Sequence, residues 1–491
     1  MFIDFSNKQD NVDNLKMTQM LVSDFLASPE RKLMQEGEKY YLAENSTISD
    51  RKMYRYKKDP AADEPKRIED KSKPNNKRIH AFMHLLVEDK INYLLSKPYT
   101  LSCEKSEELL DRVQQLLGES FQEKRISRLG VKASNNGIAW LHPYIDEKGQ
   151  FKTIIVPGDQ GIPGWMDDVH EELYDFVWFY NVNIIEDYKT KQLTKAEYWT
   201  AEGVAYYVSR TAVLPGEEPN LDFILDAEKY LDVPEREDEF TGHFTVADSD
   251  SSWGRVPFIA FKNNDYEMPD LKFIQSLVDG YDKKRSDVAN YLDEIENVVY
   301  KLRGYGGNDL GEFMRDLNYF RAISLDEDGD ADSISSNIDI SAAKEDYDQL
   351  RKDIFTFGQG VDKDSDKLGN SPSGIALKFM YSGLDLKCNK LESAFKKGFS
   401  QLIWFVNRYF ELTHQGADYE AKVKITFNRD ININESQAIV DCAASKGIIS
   451  DRTIIANHPW TQDVDEEIKL LEEQNKLPED IGNMFPPKGA E

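Results

Sequence analysis

Residues 341–413 constrain this chain most, because their apolar spacing demands two helices, one of them very long. Ala343, Tyr347, Leu350, Ile354 and Phe357 recur at steps of four and three, one stripe on a 3.6-residue helix. Gly358 and Gly360 end it. The loop 361–371 carries Asp362, Lys363, Asp364, Asp366, Lys367 and Asn370, with Val361 and Leu368 its only apolar residues. Ser371 and Pro372 then restart a helix. The hydroxyl accepts a first-turn N–H, and proline suits the first helical position because its missing donor has no partner there. Leu384, Cys388, Leu391, Phe395, Phe399, Leu402, Val406 and Tyr409 keep one face apolar almost to Thr413. Such a helix is roughly 60 Å long at 1.5 Å per residue, more than an ordinary compact domain needs.

A second constraint lies upstream. Leu271, Val278, Arg285, Leu292 and Val299 are spaced by seven, as are Ile274, Tyr281, Val288, Ile295 and Leu302, offset by three. Nine of these ten positions are apolar, which describes the heptad seam of a helix lying lengthwise against neighbours. An ordinary core helix also fits, but five heptads favour side-by-side packing. Gly280 would weaken or bend this helix, and Arg285 on the seam needs a partner if buried. Gly304, Gly306 and Gly307 stop it. Residues 310–318 read as a short helix, 319–325 as a strand, 326–332 as an acidic turn and 333–340 as a further strand. Two long helices thus flank a small mixed knob.

Upstream again, 14–42 looks helical. Residues 45–78 are polar, rich in both charge signs and interrupted by Pro60, Pro65 and Pro74, an exposed arm or linker. Helices are expected over 79–95, over 107–117 and before Asn135. The period then changes to two: 137–145 and 151–156 flank Asp146-Glu147-Lys148-Gly149, a hairpin signal, and 176–182, 195–200, 204–209 and 256–261 add strands to a β-rich module. After the long helix come a strand at 423–427 and short helices near 435–446, 451–457 and 464–474. The tail, with Pro478, Pro486 and Pro487, reads as disordered.

Composition bounds the function. A chain of 491 residues that is 40% hydrophobic folds, and its length suggests two to four domains. The formal charge of −28 argues against a protein that wraps DNA phosphates, yet suits a surface that DNA passes without sticking to; solubility alone explains it as well. Cys103, Cys388 and Cys442 are too few and too scattered for a disulfide framework or a cysteine zinc site. No signal-peptide pattern opens the sequence, and no run approaches the ~18 apolar residues of a membrane span. A cytosolic protein or part of a non-enveloped assembly is expected.

Catalytic chemistry finds little purchase. Asp326, Asp328, Asp330 and Asp332 alternate like a calcium loop, as do Asp362, Asp364 and Asp366. The positions needing Gly and Glu hold Ala331 and Asn337 in the first, Lys367 and Ser373 in the second. Solvated acidic loops are the expectation. His80 and His84 lie four apart with no third ligand and read as packing or surface histidines. No phosphate loop, dinucleotide fingerprint or nucleophile elbow is present, so neither metal, cofactor nor catalytic residue is assigned.

The order of parts resembles the portal proteins of tailed bacteriophages, of the siphovirus type found in phages of Gram-positive hosts. Gly369-Asn370-Ser371-Pro372-Ser373-Gly374-Ile375-Ala376-Leu377-Lys378 is similar to the family's signature at the entry to its long helix. Asp89, Lys90, Tyr93, Leu94, Leu95, Lys97 and Pro98 are similar to its N-terminal segment, with Ser96 where Gly is usual. Gly137 to Trp140 before a hairpin, and Ile449-Ser450-Asp451 ahead of acidic 463–473, also fit. The arm 45–78 stands outside the likeness.

The resemblance implies an α+β, helix-rich, portal-type architecture. Its parts are a β-containing wing (1–268), a stem helix (269–302), a clip (303–339), a second stem helix (340–358), a tunnel loop (359–371), a long wing helix (372–414), a helical crown (415–475) and a disordered tail (476–491). It further implies a non-enzymatic homo-oligomeric ring, twelve subunits around a channel at one capsid vertex. The virion, and the host cytoplasm during assembly, are its expected places. Its expected partners are double-stranded DNA, terminase, head-completion or adaptor proteins, scaffold and major capsid protein, without membrane. On that reading Lys363, Lys367, Asn370 and Ser371 meet DNA. Leu271, Ile274, Val278, Tyr281, Val288, Leu292, Ile295 and Val299 pack between subunits. Arg303, Tyr305, Asn308, Arg315 and Arg321 offer a terminase or adaptor surface. Rival readings are another virion structural or scaffold protein and a metal-dependent enzyme using the acidic loops.

Overall fold

The structure, a computed structural model, describes residues 13–57, 66–121, 125–230, 240–246, 249–294, 299–303, 311, 330–334, 340–363, 374–429, 435–461 and 464–475. Two helices open it, α1 (Asn14–Ala27) and α2 (Pro29–Tyr41). Ser28 divides them, its hydroxyl accepting the Arg31 N–H at 3.1 Å while Pro29 takes the first helical position. The arm follows, with a short antiparallel ribbon of β1 (Tyr54–Lys57) and β2 (Lys66–Glu69). Then come α3 (Phe82–Leu95), β3 (Thr100–Cys103), α4 (Glu107–Leu117) and α5 (Ser127–Asn136).

The β-rich region holds two sheets and a short ribbon. β4 (Ile138–Ile145) and β5 (Phe151–Pro157) form the expected hairpin, and β13 (Ile259–Lys262) joins the far edge of β4. Between them in sequence, β6 (Gly161–Trp165), β7 (Leu173–Glu186), β8 (Lys189–Trp199), β9 (Val204–Ser209) and β10 (Phe223–Leu225) make a five-stranded antiparallel sheet in the order β10-β9-β8-β7-β6. β11 (Phe244–Val246) and β12 (Ser249–Ser251) form a separate ribbon. Alternation directs one row of side chains inward from each sheet. Trp140, Trp165, Phe176, Trp199 and Phe258 meet in an aromatic core, with Phe176 and Phe258 stacked at 4.0 Å and Trp140 edge-on to Phe176 at 4.7 Å. Met17, Leu21 and Val22 of α1 close the five-stranded sheet over Val177, Phe179, Tyr198 and Tyr207.

The heptad run does not form one helix. Leu271 lies in a 3₁₀ turn (Asp270–Phe273) and Ile274 at its end, α6 spans Gln275–Glu294, and Val299 and Leu302 belong to β14 (Val299–Arg303). Ile295 lies outside the described residues. β14 pairs antiparallel with β15 (Asp330–Ile334), placing Arg303 opposite Asp330. α7 (Ile340–Phe357) then returns antiparallel along α6, with Gly280 facing Leu350 and Tyr281 edge-on to Tyr347 at 6.1 Å. The chain therefore leaves a helix pair, enters the knob and comes back through strands that pair with each other.

α8 (Gly374–Leu412) is the long helix. Its apolar stripe from Leu384 to Tyr409 is buried, each such side chain contributing on the order of 1.5–3 kcal/mol. Phe395 and Phe399 stand edge-on to Phe261 of β13 at 5.0 and 6.0 Å, an approach Gly398 permits, since a Cβ there would lie 2.8 Å from that ring. β16 (Val423–Thr426) pairs with β3, and α9 (Glu435–Ala444), α10 (Asp451–Ala456) and α11 (Val464–Asn475) finish the described chain. The tail 476–491 lies outside the described residues.

Candidate functional site

The loop between α7 and α8 is the candidate, and its root is tightly built. Gly358 and Gly360 press on α3: a Cβ on Gly360 would lie 2.1 Å from Leu86 Cδ2. Val361 is buried, and Arg351 holds Asp362 at 2.8 Å. Lys363, with its side chain 61% exposed, reaches back to Asp89 of α3 at 2.8 Å. Of the four residues assigned to DNA contact, Lys363 thus sits at the root and is paired within its own subunit. Lys367, Asn370 and Ser371 lie outside the described residues.

Beneath this root four elements meet at one carboxylate. Asp270, just ahead of α6, accepts Lys90 Nζ of α3 at 2.6 Å and Lys387 Nζ of α8 at 3.0 Å on Oδ2, and Asn263 Nδ2 at 2.9 Å on Oδ1. Lys90 also donates to Asn263 Oδ1 at 2.7 Å, and Lys387 to the Gly358 carbonyl at 3.0 Å, so the helix-stop glycine belongs to the same cluster. Burial pulls the Lys90 ammonium down to about 8 despite the attraction of Asp270. Burial alone would raise Asp270, but Lys387 and Lys90 hold it well below the usual carboxylate range. The cluster fixes both α7, where the loop departs, and α8, to which it returns. Sequence reading missed it, although a Lys at position 90 on an otherwise apolar helix face was a visible signal.

The seam divides in two. Leu271, Ile274, Val278 and Tyr281 are buried inside the subunit against α3 and α7, which corrects their assignment to packing between subunits: the single chain already covers them. Val288 is half-buried and Leu292 is 48% exposed, so these two keep surface for a neighbour. Arg285 finds its partner in Tyr347, its guanidinium 4.7 Å above the ring. Arg303 closes the β14–β15 ribbon; Tyr305, Asn308, Arg315 and Arg321 lie outside the described residues.

The arm also departs from expectation. Its ribbon is exposed, but its roots run along α6. Asn45 Nδ2 donates to the buried Asp282 at 2.6 Å, the His80 N–H to the same carboxylate at 3.1 Å, and the Arg78 N–H to Ser286 Oγ at 3.0 Å. Asn76 Nδ2 donates to Asn290 Oδ1 at 3.0 Å and Asp293 Oδ2 at 2.6 Å, and Arg51 pairs with Asp287. His80 thus packs on Asp282 and His84 on the Tyr41 ring. Among the described residues no three His, Cys, Asp or Glu side chains stand close enough to share a metal ion, and no helix is long and apolar enough to cross a membrane.

A family model described as phage portal protein, SPP1 Gp6-like, matches residues 28–477. The chain belongs to that family. The match includes the arm 45–78, which sequence reading had left outside. Curated relatives agree: the portal protein of Bacillus phage SPP1 is 28% identical over 480 residues, covering 97% of this chain and 89% of that one. The portal protein of Clostridium phage phiCD119 is 31% identical over 420 residues, covering 82% and 86%. A solved structure, the neck of an empty GTA particle computed with C6 symmetry, overlaps 76% of this chain and 88% of its own with a TM-score of 0.40 and 10% identity, too slight a likeness to carry argument. The chain is therefore a phage portal protein, a head-to-tail connector component of the virion, in a family that is structural rather than enzymatic.

Proposed function

We propose that twelve copies close into a ring at one capsid vertex and that DNA is driven through its bore. In this reading the sheets and α8 form the wing, α6 and α7 the stem, the excursion between β14 and β15 the clip, and α9 to α11 the crown. Terminase docks on the clip during packaging and supplies the ATPase; head-completion proteins and the tail follow there. Scaffold and major capsid protein meet the outside of the ring, and assembly proceeds in the host cytoplasm. The observation that carries the reading is the antiparallel α6–α7 pair with its strand-paired excursion and a loop rooted beside Asp270, in a chain of the portal family.

Lys363 and Lys367 are the proposed transient phosphate contacts. An exposed pair such as Lys363–Asp89 contributes little, so the ammonium can exchange its carboxylate for a passing phosphate. Lys363→Ala with Lys367→Ala is expected to lower DNA filling or retention in assembled heads while rings still form. Unchanged packaging and retention in the double variant would remove the assignment.

A further inference from the structure

The arm reverses the sign of the chain. Residues 51–78 hold eleven Lys and Arg against five Asp and Glu, a net +6 in a chain of −28, so the remainder carries −34. In the ribbon, Tyr54 to Lys57 pair with Glu69 to Lys66, and every side chain except half-buried Ile68 is exposed. Residues directly opposite share a face. Arg55, Lys57, Lys66 and Ile68 therefore line one side, and Tyr54, Tyr56, Arg67 and Glu69 the other, where Arg67 lies 3.8 Å over the Tyr54 ring. A two-stranded ribbon clear of any core is marginal in water. Its roots on α6 hold this one in place, and on its basic face Arg55 lies near Asp70 of the arm itself.

What lies across α6 names the partner. The roots bind the face carrying Asp282, Ser286, Asn290 and Asp293, whereas α7 packs on Tyr281, Lys284 and Arg285. At about 100° per residue these sets are centred roughly 140° apart, on different sides of the helix. The subunit thus presents a basic ribbon on one flank and the outer face of α7 on the other. There Glu345 and Asp348, both exposed, point away from the Tyr347, Leu350 and Ile354 side that packs inward, with exposed Lys352 on the same face. A closed ring joins two different surfaces of each copy.

Resting on the ring reading, we propose that the ribbon of one copy docks on the outer face of α7 of the next, with Arg55, Lys57 and Lys66 meeting Glu345 and Asp348 around Ile68. The arm's roots already use the same chemistry on an acidic helix within the subunit. The contact is a clasp between neighbouring stems.

The test uses the full chain, with particle mass and electron-microscope images followed across protein and salt concentration. The variants are Arg55→Glu/Lys57→Glu/Lys66→Glu, the reverse set Glu345→Lys/Asp348→Lys, and both sets combined; circular dichroism checks that each folds. Either set alone is expected to raise the concentration at which rings dissociate at least tenfold, and the combination to recover most of that loss. Rings of unchanged stability in the arm variant, alongside normal wild-type rings, would overturn the clasp. So would a combined variant no better than its parents. An arm variant that keeps its rings but loses affinity for a duplex DNA probe would assign the ribbon to nucleic acid instead. A wild type that never forms rings would overturn the ring reading and the clasp with it.

Discussion

Asp270, ahead of α6, and Asp282, in its middle, are both buried carboxylates, yet they are held by different donors. Asp270 takes two ammonium groups, from α3 and α8, and an amide from the end of the β region. Asp282 takes a side-chain amide, a backbone N–H and an imidazole nitrogen, all from the arm and its exit. The first cluster joins elements 180 and 117 residues away in sequence through charge (Asp270 to Lys90 and to Lys387). The second lays one segment along one helix through many single contacts. Removing one partner from the charged cluster leaves another charge buried, whereas the arm gives way one contact at a time. That difference makes the loop root rigid and the arm adjustable, as the proposed channel and the proposed contact between subunits require.

Four outcomes would break or sharpen this contrast. Asp270→Asn leaves the buried Lys90 ammonium beside Lys387 with no carboxylate and is expected to cost about 3–5 kcal/mol in denaturant unfolding; a loss under about 1 kcal/mol would place the charge pair outside the chain's stability. Acid comes next. Burial holds His142 down to about 4, and its Nδ1 lies 2.6 Å from the Pro257 carbonyl, which can only accept. Burial also holds His243 down to about 4, and it accepts the Trp253 N–H on Nδ1 while donating from Nε2 to Thr200, an arrangement only the neutral ring can make. Unfolded, these rings protonate below about 6.5. The stability they provide is complete above that pH and is lost as pH falls through about 4, about 3 kcal/mol for His142. Asp270 acts lower: its contribution is complete above 3.8 and fades below that. Unfolding free energy that stays level between pH 6.5 and 4 would contradict the histidine account. Asn76→Ala, which removes two donated bonds to α6, is expected to cost about 1 kcal/mol; a loss as large as that of Asp270→Asn would erase the contrast. Lys363→Ala is expected to change stability by less than about 0.5 kcal/mol, because the ion pair is exposed; a larger loss would make Lys363 a structural residue.

Most helices were legible because burial imposes a period: the stripe from Leu384 to Tyr409 is the buried face of α8. The hairpin of β4 and β5 was legible from its turn residues, and Asp146 Oδ1 accepts the Lys148 and Gln150 N–H groups as such a turn requires. The turn joining β7 to β8 was not, because Asp187 and Tyr188 adopt positive φ with no glycine to announce it. The heptad run misled for a related reason. A spacing of seven records that a face is covered, not what covers it, and for Leu271 to Tyr281 the cover is α3 and α7 of the same chain. The cluster at Asp270 brings together residues far apart in sequence, which no local pattern encodes, and the arm's anchoring was hidden behind its polar composition.

The central claim is that neighbouring subunits of this portal chain close around a bore. Electron-microscope images of the purified protein test it most directly. The account predicts closed annular particles of uniform subunit number with a central hole wide enough for duplex DNA; a compact monomer across every concentration and salt tried, with no annular particles, would contradict it.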